Sequence, residues 1–161
     1  DSGIIDRAID PQLWQATSAN AIDPAEATGR VCFGVAVAMG GIGTAIVACI
    51  ETEAVPLLQV VDVLPGTGSA PERLRELQER YHAADAVTAP QAFMSALDQH
   101  AVNHAPDSDM DREAGLAGKR MSGDAWLWNR AEGVNAPTIE AATLALWGLT
   151  HMPDDTPPGV Y

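Results

Sequence analysis

VCFGVAVAMGGIGTAIVACIE, residues 31–51, places two apolar, β-branched runs on either side of a glycine cluster at Gly40, Gly41 and Gly43. Glycine reaches the positive φ angles that tight turns need, so the pattern predicts a buried β-hairpin. With Gly40 and Gly41 as the turn, residues whose numbers add to 81 face each other; Ala36 then sits opposite Ala45, and Cys32 opposite Cys49. Cys32, Gly34, Ala36 and Ala38 share one strand face. All four are small, as close packing against another element requires.

A third strand is predicted over 56–64 (PLLQVVDVL), closed by the turn residues Pro65, Gly66 and Gly68. Over 69–85 the signals are those of a helix: Ser69 and Glu72 have capping-box spacing, Pro71 suits a first turn, and Leu74, Leu77 and Tyr81 form an apolar stripe. Residues 86–89 read as a short strand, 90–99 as a short helix burying Phe93, Met94 and Leu97, and 100–103 as another short strand. A helix follows over 107–118, with Asp107, Asp109 and Asp111 at its positive end. After a tryptophan-bearing segment (123–130) comes a last helix, 137–152, carrying Ile139, Leu144, Leu146 and Trp147, with Asn135 placed as its N-cap. The organisation expected is an irregular lead-in (1–30) anchored by Trp14, one domain (31–152) and a proline-rich tail (153–161). This order predicts an α/β class domain: a three-stranded antiparallel meander continued by parallel strands into a mixed sheet and flanked by helices, the ribonuclease H-like arrangement.

Composition narrows the function. The chain has 161 residues, 47% hydrophobic and 19% charged, which suits one globular domain. No apolar run reaches the roughly 18 residues of a membrane span, so no membrane contact is expected. Asp1 is followed by no basic, apolar leader, which reads as a fragment or processed product. The net charge is -13, from 22 acids against 9 bases, the opposite of a free-standing duplex binder. DNA contact would be weak, or helped by a local basic patch, a divalent ion or a basic partner. Arg73, Arg75 and Arg80, and separately Lys119, Arg120 and Arg130, read as solvated surface charge. Two cysteines are too few for a disulfide framework and read as buried thiols.

Several apparent motifs fail on spacing. Gly41 and Gly43 open no dinucleotide fingerprint, because Ile46 stands where the third glycine belongs and a strand follows. Gly115, Gly118 and Lys119 are too closely spaced for a phosphate loop, and Arg120 replaces its hydroxyl residue. The Asp107–Asp109–Asp111 run is no calcium loop, since Arg112 takes the turn glycine's place and Gly118 that of the closing glutamate. His100 and His104 read as a surface pair, His82 and His151 as partnerless. No serine or cysteine sits in a nucleophile elbow.

Four segments together carry a family resemblance: VCFGVAVA with AIVACIE, GTGSAPERLRELQERY, GDAWLW and AATLALWGL. From about residue 4 onward the chain resembles the C-terminal nuclease domain of the large terminase subunit of tailed bacteriophages, in the form found in actinobacterial phages and prophages. The resemblance implies a ribonuclease H-like fold, a preceding ATPase motor that pumps DNA, and Mg²⁺- or Mn²⁺-dependent endonuclease cleavage in the cytoplasm of a bacterial host. Two-metal cleavage needs about three carboxylates around the ions. The family's first acid lies in a Phe-Gly-Val-Asp-Val strand, which reads Phe33-Gly34-Val35-Ala36-Val37 here. Its second, after the fourth strand, falls at Ala89; its third, in a Val-Asp motif before the last helix, falls at Asn135. A helix that the family places before the segment around His104 is also missing. No catalytic acid is therefore retained, and no cofactor is expected. Asp62, Asp124, Glu132 and Glu140 are the acids that could substitute, with Mg²⁺ or Mn²⁺ required if they do. The resemblance implies the terminase motor, portal or other packaging proteins as partners. A protein-binding module within the packaging or capsid machinery and an active nuclease on substitute acids are the alternatives.

Overall fold

The glycine-flanked runs do pair. β1 (Val31–Val37) and β2 (Gly43–Ile50) form an antiparallel ladder in which Ala36 faces Ala45 and Cys32 faces Cys49, the register set by the glycine positions. The computed structural model describes residues 7–23, 26–38, 43–65, 89–131, 133–151 and 159–160. The turn glycines Gly40 and Gly41, Gly66 and Gly68, the helix expected over 69–85, and 86–88 of the strand expected after it lie outside the described residues. β3 (Leu57–Pro65) continues the meander antiparallel to β2, with a bulge opposite the Ile46–Val47 step. Before β1 comes α1 (Pro11–Ala16); after β3 come α2 (Ala89–Asp98), β4 (Asn103–His104), α3 (Ser108–Ala114), β5 (Lys119–Ser122), β6 (Ala125–Trp128), α4 (Pro137–His151) and β7 (Gly159–Val160).

Five strands share one sheet in the order β4-β3-β2-β1-β7. The meander is antiparallel, whereas β4 runs parallel to β3 and β7 parallel to β1, so the sheet is mixed, as the element order predicted. β5 and β6 form a separate hairpin whose Gly123 has φ of 63°.

One sheet face carries the main core. Cys32, Ala36, Ala45, Val47, Cys49 and Leu58 lie there against Ala141, Ala142 and Ala145 of α4. A Cβ on Gly34 would come within 1.9 Å of the Ala141 carbonyl oxygen and 2.6 Å of the Ala145 amide nitrogen. The small residues on this strand face therefore let a helix backbone sit directly on the sheet. Arg30 reaches the Leu149 carbonyl while Gly34 meets the Ala141–Ala145 turn, so α4 runs antiparallel to β1 and carries its first turn toward Ala36. On the other face, Val31, Ala48 and Ile50 pack with Ile22, Ala27 and Phe33.

Three local expectations need correction. Residues 1–30 are not simply irregular: Asp10 accepts from the Gln12 amide, Pro11 occupies the first turn of α1, and Ile9 and Trp14 join the main core. Proline, read as a break, is tolerated there because a first-turn amide has no helical partner to lose. The tail contributes β7, because the free edge of β1 supplies hydrogen-bond partners that composition does not reveal. Ala89, expected to end a strand, starts α2. α4 is buried almost all round, including Thr138, Ala141, Ala142, Thr143 and Ala145.

Candidate functional site

The C-terminal end of β1 is where the resemblance predicts a metal-binding acid. Across the sheet at that level, Ala36 pairs with Ala45, and Ala45 with Val63. Directly opposed residues point to the same face, so the row that meets the α4 side reads Ala-Ala-Val. Ala36 and Ala45 are fully buried, while Val63 is exposed. Neither alanine nor valine side chains offer an oxygen to Mg²⁺ or Mn²⁺, which take hard oxygen donors.

The remaining candidate positions are scattered. Ala89 is buried at the start of α2, and Asn135 is half-buried just ahead of α4. Asp62 is exposed and pairs with Ile46, one position out of phase with Ala45; it therefore lies on the opposite face of the sheet from Ala36. Its carboxylate accepts from the Val63 amide. Asp124 is exposed in the turn of the β5–β6 hairpin, between Ser122 and Ala125. Glu132 lies outside the described residues. Among the described residues, no group of three or more His, Cys, Asp or Glu side chains is placed to hold a metal ion. The donors among the described residues are too scattered to form a two-metal centre.

Of the candidate acids among the described residues, Glu140 alone is buried, in the first turn of α4. Its Oε1 accepts from Arg130 Nε at 2.7 Å, while Oε2 is buried without a partner. Burial pushes its carboxyl above the ordinary range, and the hydrogen bond and charge of Arg130 pull the other way. Arg130, expected to be solvated, is thus held in an ion pair. Glu113 was missed by sequence reasoning: its buried Oε1 accepts both the amide and the hydroxyl of Thr138, at 2.8 Å each. A carboxylate from α3 therefore caps α4, in place of the cap expected at Asn135. The signal is invisible in sequence because donor and acceptor lie 25 positions apart.

Two histidines also depart from expectation. His104 is 2% exposed, not a surface residue; its ring stacks on Trp14 at 3.7 Å. His151, expected to lack a partner, stacks on Trp147 at 4.2 Å. Cys32 and Cys49 are buried free thiols, the reading favoured from sequence. Desolvation raises both, Cys32 up to about 12, which keeps them protonated and unreactive.

No protein-family model matches the sequence, and no curated protein matches it. Solved structures do. The large terminase nuclease from thermophilic phage G20c superimposes with a TM-score of 0.52 and 12% identity, over 80% of this chain and 85% of that one. This chain has the fold of a large-terminase nuclease. The same phage nuclease with bound magnesium gives a TM-score of 0.46 at 10% identity, over 73% and 80% of the two chains. The large terminase nuclease domain of bacteriophage SPP1, with bound manganese, gives 0.48 at 15% identity, over 84% and 96%. The likeness to the G20c domain establishes the mixed α/β architecture of the terminase nucleases, which is the ribonuclease H-like class expected from the element order.

Proposed function

We propose that this chain is a nuclease-like domain of a tailed-phage large terminase, of actinobacterial phage or prophage type, that has lost metal-dependent DNA cleavage. It acts in the cytoplasm of a bacterial host, as a contact module for the motor, the portal or another packaging protein. The observation that carries this reading is the apolar Ala36–Ala45–Val63 row at the level where a terminase nuclease needs its first acid. The described substitute candidates offer no replacement set, since Asp62 lies on the far face, Asp124 in the β5–β6 turn, and Glu140 is paired with Arg130. A scaffold kept in good packing order around a site without donors is what a retained binding role would leave. The net charge of -13 suits basic protein partners better than bare DNA.

The test is a plasmid-nicking assay of the purified chain with Mg²⁺ or Mn²⁺. No nicking above a chelator-treated control is expected. Cleavage abolished by chelator, and by Asp62→Asn or Glu140→Gln, would overturn the reading in favour of a nuclease built on substitute acids.

A further inference from the structure

We draw no further inference here: the strongest candidate, the apolar groove of about 260 Å³ between α2 and α4 lined by Ala89, Phe93, Ala96, Leu146 and Trp147 among others, carries nothing because no feature of the structure shows what covers it.

Discussion

Ala36 is the position on which the functional reading turns, and its surroundings say what an acid would meet there. The residue is fully buried, its cross-strand partner is Ala45, and the α4 backbone presses on the same strand at Gly34. A carboxylate introduced at Ala36 would be desolvated with only the Ala45 methyl group opposite it in the ladder. Ala36→Asp is therefore expected to lower unfolding stability by about 3 kcal/mol or more, on the scale of an uncompensated buried charge. It should restore neither Mn²⁺ binding nor cleavage. Chemical denaturation measures the first and calorimetric titration with Mn²⁺ the second. If Ala36→Asp folds with unchanged stability and binds Mn²⁺ tightly, the site was a latent metal centre, and the inactive reading is wrong.

Elements differ in how much of their placement the sequence announces. The hairpin register was readable to the residue because two apolar runs and a central glycine pair leave one alternation that buries small side chains. α2 and α3 were readable within a few residues, the latter through the Asp107 cap and the acids behind it. β7 was not, since a two-residue strand exists only by virtue of the β1 edge beside it. The candidate site divides the same way: that an alanine stands at position 36 could be read directly, but the face occupied by Asp62 depends on a bulge in β3, which one sequence does not display. The capping of α4 is the clearest case of a tertiary choice. Removing Glu113 leaves the Thr138 amide and hydroxyl, both fully buried, without their acceptor. Glu113→Ala is expected to cost about 2 kcal/mol, as for a lost cap with unsatisfied buried donors, and Glu113→Gln clearly less because one acceptor oxygen survives. Paired urea titrations distinguish the two. Equal losses in both variants would mean that packing, and not the cap, holds α3 to α4.

For the molecule taken together, pH sorts two buried or bridged acids into opposite windows. Glu140 has its carboxyl raised above the ordinary value of 4.5, first by burial and then by the Glu113 charge, against the pull of Arg130 and Arg120. An acid that holds its proton more tightly when folded loses stability as pH rises from its unfolded value through its folded one. Glu51 is lowered from 4.5, chiefly by the hydrogen bonds it accepts from Arg30. Its contribution is present above the unfolded value and disappears as pH falls through the lowered folded one. The net charge of -13 adds a diffuse repulsion that also eases as carboxylates take up protons. Thermal stability should therefore rise as pH falls from neutral toward the region just above 4.5, then decline below it. Salt separates the contributions. Ions at physiological strength screen charges more than about 8 Å apart and remove the diffuse part, but reach a buried carboxyl poorly. Melting curves across pH at low and high salt should keep a residual slope above 4.5 in the unaltered chain and lose it in Glu140→Gln, with the limb below 4.5 left in place. A slope that salt abolishes entirely, or that Glu140→Gln leaves untouched, would show that surface repulsion alone sets the upper limb and that the buried Glu140–Arg130 pair is neutral in the stability of this fold.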